Sequence, residues 1–222
     1  MSQQQTLMAR DGHTFSAYLA SPSNRARGAV VIVQEIFGLT PHIRRTADSF
    51  AADGYLAIAP ALFDRIRRGL VLGYTPEEIE RAGGYRLQVP LAKALLDIAA
   101  AAAVVRHAGR TATIGFCWGG TLTWAAASTL PMAAAICYYG AKMWEQSPKT
   151  PACPTQLHFG ENDPHIPASE IEQLRAAYPA GEYYLYAAGH AFANDDRADR
   201  YNAEAAALAR TRTNEFLARL VG

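Results

Sequence analysis

The chain has 222 residues, half of them hydrophobic, with 21 Lys and Arg against 20 Asp and Glu and a formal net charge of +1 at pH 7. Charges of both signs are scattered, so no basic field draws nucleic acid or an anionic membrane, and neither is an expected partner. The length suits one α/β core, residues 1–222 as a single domain, and no segment approaches the ~20 apolar residues of a membrane span.

The N-terminal "MSQQQTLMARDGHTF" has no apolar stretch of signal-peptide length. Three cysteines, Cys117, Cys137 and Cys153, cannot all pair with one another, and no CxxC occurs. Reduced thiols and a cytoplasmic location are therefore expected.

Along the chain, Asp11-Gly12 between two alternating runs predicts a hairpin over residues 6–20. "GAVVIVQ" (28–34) is a continuous apolar strand of the kind buried on both faces. "YLAIAP", "TATIGF", "AAAICYY", "TQLHFG" and "EYYLY" repeat the type. Helical patterns lie between them, at 41–53, roughly 76–107, 118–129, 167–177 and 199–220, with Pro90 placed to start or kink the second. Residues 61–84 read as a less regular excursion, of the kind that sits above the carboxyl ends of strands where ligands bind. Strands alternating with helices predict an α/β protein, a mostly parallel sheet covered on both faces, with an N-terminal antiparallel hairpin.

"IGFCWGGTL" (114–122) puts Cys117 between glycines where an apolar strand stops and a helix begins. This is the G-x-S-x-G nucleophile elbow with cysteine for serine, and the helix N-terminus offers N–H groups and a positive dipole end to an anion. A small buried hydrophobe is the other reading of a free cysteine. A nucleophile needs a base, and the base an orienting group. Among six histidines, His107 suits a helix C-terminus and His158 an apolar core strand, while His13 and His42 fall in a hairpin and at a helix start. His165 and His190 remain. His190, in "YAAGHAFAND", follows a strand and a glycine, and "HFGENDPHIP" supplies Asp163 after another strand, with Glu161 as a competing acid. The order Cys117, Asp163, His190 is nucleophile, acid, histidine, the order of the α/β-hydrolases. The cluster His158, Glu161, Asp163, His165 fits no helical metal-ligand spacing, so no metal is expected.

"DGHTF" (11–15), "QEIFGL" (34–39), "GFCWGG" (115–120) and "GHAFA" (189–193), with "CYYG", together resemble the dienelactone hydrolases, also called carboxymethylenebutenolidases. The resemblance implies a single-domain α/β-hydrolase that opens an enol-lactone with Cys117, His190 and Asp163, without a cofactor. It implies that Glu35 helps to deprotonate the cysteine when substrate arrives and that the N–H groups of Ile36 and Trp118 form the oxyanion hole. Relatives acting on a carboxylated lactone grip its carboxylate with two arginines. "RAGGYRL" keeps the first as Arg81, with Tyr85 beside it, while Asn194 stands in place of the second. The expected partner is a small lactone or ester and the expected state a monomer. A general carboxylesterase or thioesterase on the same triad, a non-catalytic binding protein and a redox sensor at Cys117 are the other readings.

Overall fold

The hairpin around Asp11-Gly12 opens the chain. In the computed structural model, which describes residues 1–222, β1 (Ser2–Met8) and β2 (Thr14–Ala20) pair antiparallel from Ser2 opposite Ala20 to Met8 opposite Thr14. β1 starts earlier than the residue pattern predicts, because its first half is exposed glutamine with no alternating apolar signal. Two compact units follow from the contacts, Met1–Thr111 and Ala112–Gly222.

In the first unit the strand order is β1-β2-β4-β3. β3 (Gly28–Val33) and β4 (Tyr55–Pro60) run parallel and are buried along their whole length, which is why they read as continuous apolar runs. α1 (Pro41–Ala52) connects them, capped by the Thr40 side chain on the Ile43 N–H. β2 joins β4 antiparallel.

The helical stretch predicted from 76 is two helices, α2 (Pro76–Gln88) and α3 (Leu91–Val105). Pro90 starts the second rather than kinking a continuous one, since it disfavours helical backbone at Val89, which is extended. α2 opens with a capping box, Thr75 with Glu78, so the irregular excursion ends at Thr75 rather than at 84. Between β4 and α2, Arg65 donates to both oxygens of the fully buried Asp97 carboxylate in α3, at 2.8 and 2.7 Å, and also to Asp11 at 3.1 Å. That ion pair ties the hairpin turn to the helix layer and went unseen in the sequence.

The second unit is all parallel, β5 (Thr111–Phe116), β6 (Ala134–Tyr138), β7 (Thr155–Gly160) and β8 (Glu182–Tyr186) in that order. α4 (Trp118–Thr129), the short α5 (Met143–Gln146) and α6 (Ala168–Ala177) connect these strands, and α7 (Ala203–Leu220) closes the chain. α5 lacks a periodic pattern long enough to predict. α7 starts later than expected, at the Asn202 cap, whose side chain accepts from the Ala205 N–H. The mostly parallel α/β architecture with an antiparallel hairpin at its start is therefore the one the sequence predicts. No single helix is long and apolar enough to cross a membrane.

Candidate active site

β5 ends at Phe116 and α4 begins at Trp118, so Cys117 alone makes the turn. Its φ of 55° lies in the left-handed region, a strained place for a residue with a side chain. Two backbone bonds hold it there: the Cys117 N–H donates to the Tyr138 carbonyl at 3.0 Å, and the Cys117 carbonyl accepts from the Gly120 N–H at 2.9 Å. The flanking glycines are demanded by contact. A Cβ at Gly115 would lie 1.9 Å from the Gly119 carbonyl oxygen, and one at Gly120 would lie 2.7 Å from the Tyr138 oxygen. Strand and helix approach this closely only without those side chains, so the G-x-C-x-G-G spacing is a packing requirement. The result is a half-buried thiol raised on the first turn of α4, beside N–H groups that have no intrahelical acceptor.

The acid and the histidine come from the loops after β7 and β8. These loops are laced together, Glu161 N–H to the Tyr186 carbonyl at 2.8 Å and Asn162 N–H to the Ala188 carbonyl at 3.0 Å. The Asp163 carboxylate is fully buried; Oδ2 meets His190 Nδ1 at 2.7 Å, and Oδ1 accepts from the His165 N–H at 2.9 Å. The second contact is a local turn across Pro164 that fixes the carboxylate before the histidine arrives. His190 Nε2 in turn lies 3.2 Å from Cys117 Sγ. The structure thus brings Cys117, His190 and Asp163 into one line, while Glu161 stays exposed.

Burial alone works against a charged His190. The adjacent Cys117 sulfur and then the Asp163 carboxylate outweigh it and push the imidazole up to about 10. His158 shows the opposite. Buried in β7 between Tyr186 and Gln156, it is pushed down to about 3 by burial and then by Arg212, a neutral core residue as the sequence suggests. At the C-terminal end of α3, His107 Nδ1 donates to the Val104 carbonyl at 2.8 Å.

The other sequence-derived candidates divide between the units. Glu35, Ile36, Arg81 and Tyr85 belong to the first. Glu35 follows β3 directly and is only 1% exposed. Its carbonyl accepts from the Gln34 carboxamide at 3.2 Å, and the Gln34 oxygen accepts from the Leu62 N–H at 3.1 Å, so this turn is pinned from beneath. Ile36 is half-buried, Arg81 is exposed on α2, and the Tyr85 ring leans on Phe63. Trp118 and Asn194 belong to the second unit. Asn194 is fully buried and its Oδ1 accepts from the Asp196 N–H at 3.0 Å, so the carboxamide oxygen serves a turn. Arg197 and Arg200, next along, both hold Asp199.

Sequence reasoning missed Tyr139, whose buried ring stands 5.2 Å from that of His190. It lies in the quoted "CYYG", but nothing in its local pattern marks it as different from a core tyrosine.

The model of the dienelactone hydrolase family matches residues 15–221. A carboxymethylenebutenolidase of Pseudomonas putida is 32% identical over 97% of this chain and 95% of its own length. The crystal structure of a candidate dienelactone hydrolase from Klebsiella pneumoniae superposes with a TM-score of 0.84 at 33% identity, covering 98% of each chain. A dienelactone hydrolase-like promiscuous phosphotriesterase from metagenomic libraries superposes with a TM-score of 0.80 over 100% of this chain and 99% of that one; at 18% identity it speaks to the fold alone.

Proposed function

The chain belongs to the dienelactone hydrolase family and is a hydrolase of that type, and from that premise we propose that it opens an enol-lactone or cleaves a related carboxylic ester through Cys117, His190 and Asp163. The observation that carries the proposal is the line of contacts from Asp163 Oδ2 through His190 to Cys117 Sγ, 2.7 and 3.2 Å long.

In the proposed cycle the Cys117 thiolate attacks the carbonyl carbon, forming a C–S bond. The Trp118 and Ile36 N–H groups hold the tetrahedral oxyanion. The C–O bond of the ring then breaks, and the departing oxygen takes the proton from His190. That proton is the one His190 takes from the Cys117 thiol, across their 3.2 Å contact, as the thiolate forms. Neutral His190, still oriented by Asp163, takes a proton from water, the resulting hydroxide attacks the thioester, and the thiolate leaves. No cofactor enters the scheme. Glu35 is assigned assistance to thiolate formation when substrate arrives; its burial at the end of β3 supports a role, since a buried carboxylate is costly to keep. Glu35→Gln should lower turnover while leaving substrate binding in place, and unchanged turnover would make it structural.

Arg81, Tyr85 and Asn194 are proposed to face the substrate. With asparagine at 194, the second arginine of the carboxylate clamp is missing, which favours a second reading, a preference for less acidic esters or lactones. Loss of one charged donor costs on the order of 1.5 to 3 kcal/mol, roughly ten- to a hundredfold in affinity. Comparison of kcat/KM for a dienelactone carboxylate and its neutral ester analogue tests this, and a strong preference for the carboxylate would contradict it.

A monomer is the proposed state; the family match over residues 15–221 supports one catalytic domain over residues 1–222, and the free thiols Cys117, Cys137 and Cys153 support a cytoplasmic location. Cys117→Ala tests the whole reading. Hydrolysis should fall by several orders of magnitude with the fold intact, and an active variant would sink it.

A further inference from the structure

Four residues other than glycine have φ in the left-handed region: Cys117 at 55°, Tyr139 at 38°, Lys142 at 56° and Ala191 at 63°. Cys117 is the elbow, and Ala191 directly follows His190. Tyr139 is bulky, fully buried and takes no part in the cycle above. Strain of this kind persists only where the surroundings over-determine it, and it collects at functional sites.

The surroundings of Tyr139 do so. Its N–H donates to the His158 carbonyl at 2.8 Å, which anchors the residue to β7. The next residue, Gly140, runs so close under the first turn of α4 that a Cβ there would lie 2.8 Å from the Thr121 nitrogen. Held at both ends, the backbone turns the Tyr139 ring toward the site. The ring meets His190 at 5.2 Å with the planes 61° apart, and Phe192 backs it at 5.3 Å. His165 meets the His190 ring from another contact, at 4.9 Å and 80°.

The two polar contacts of His190 hold its nitrogens, and rotation about Cβ–Cγ is the motion that would swing Nε2 off the sulfur. We infer that Tyr139 is the positioning residue that stops this turning and keeps Nε2 aimed at the Cys117 sulfur, an inference that rests on the triad reading above. The packed ring also excludes water from the charged imidazole and offers it a π surface. The titratable groups that face His190 are Cys117, Asp163 and His165, with Arg200 acting on His165. Tyr139 is not among them, so any change on replacing its ring comes through position and solvent.

The test compares Tyr139→Leu and Tyr139→Phe by kcat, KM, thermal midpoint and the pH profile of Cys117 alkylation by iodoacetamide. Tyr139→Leu should lower kcat by roughly ten- to a hundredfold with KM changed by less than about threefold, because small misplacement of a reacting group costs that much in rate. Its alkylation profile should also shift, since an imidazolium that wanders supports the thiolate less well. Tyr139→Phe keeps the ring and should recover most of both. If Tyr139→Leu does not fold, Phe192→Leu removes the backing ring and should show the same pattern more weakly. Wild-type kcat and alkylation in Tyr139→Leu, or in Phe192→Leu when it stands in, would overturn the inference. So would activity that falls only in step with the folded fraction, or a Tyr139→Phe as impaired as the leucine variant. Cys117→Ala, measured alongside, separates the two levels. An active Cys117→Ala fails the triad itself, whereas an inactive one beside a normal Tyr139→Leu fails only the role of Tyr139.

Discussion

His158 and His190 lie in the same unit, the first buried and the second half-buried, and each makes a 2.7 Å contact through Nδ1, yet the protein drives them in opposite directions. His158 is pushed down to about 3 and His190 up to about 10. The difference lies in the partners. His158 has neutral ones, the Tyr186 hydroxyl and the Gln156 carboxamide, with the Arg212 cation nearby. Gln156 gives its amide hydrogens to Glu182 and to the Arg212 carbonyl, so its oxygen faces His158 Nε2–H, and the Tyr186 hydroxyl donates to Nδ1. Each His158 nitrogen is thus satisfied with no charge. His190 has a buried carboxylate on one side and a sulfur open to the solvent side on the other. A buried histidine without an anion becomes core, and the same residue with an anion behind it holds a proton ready for chemistry.

Asp163→Asn removes the carboxylate behind His190 and leaves only the Cys117 sulfur to favour its charge. The expected result is a fall in kcat of about 10³- to 10⁴-fold with the fold retained, read by steady-state ester hydrolysis.

The next largest effect is on stability against pH, and the two histidines should act with opposite sign. The folded-state pKa of His158 lies below its unfolded value of ~6.5, so below that pH the unfolded chain takes a proton that the folded one refuses. Stability from this source falls as pH drops from ~6.5 toward 3. His190 has its folded pKa raised, so its contribution is fully present below pH ~6.5 and is lost as pH rises through about 10. Urea unfolding at pH 4.5 and 7 checks the first arm, and His158→Gln should flatten it.

The elbow supplies a third test. Gly115→Ala sets a Cβ against the Gly119 carbonyl, and should cost about 1–3 kcal/mol of stability and most of the activity by moving Cys117 away from His190. A variant of wild-type activity would mean that the turn tolerates separation of β5 from α4.

Much of the second unit was legible in the sequence, for particular reasons. Cys117 sits among glycines forced by backbone contact, and Asp163 follows β7, buried along its whole length as its apolar run predicts; His190 follows β8, which is half-exposed rather than buried on both faces as expected, because its tyrosines line the outer edge of the strand order. His158 was read as core because it interrupts such a run. The strands of the first unit were equally clear, but its buried polar pairs were not. Asp97 looks like any helical aspartate until Arg65, far away in sequence, folds onto it. Tyr139 was invisible because its role depends on a left-handed backbone that only the packing of Gly140 under α4 reveals. Pairings across the chain and strained dihedrals leave no periodicity behind.

The smallest expected effect is at Asn194. Its carboxamide oxygen serves the Asp196 N–H, so Asn194→Ala should lower stability by about 1–2 kcal/mol, seen in the thermal midpoint, and leave kcat for a neutral ester within about twofold. A large loss of kcat without loss of stability would show that the carboxamide acts mainly on the substrate rather than on the turn.

The central claim is that the charged His190 serves a nucleophilic sulfur, and mass spectrometry of enzyme quenched in acid during turnover of a slow ester or lactone tests it most directly. The account predicts a mass increase equal to the acyl group, located on the peptide that carries Cys117 and absent from Cys117→Ala. Turnover in which that peptide stays unmodified under conditions that trap the intermediate, or an acyl group located on another residue, would contradict it.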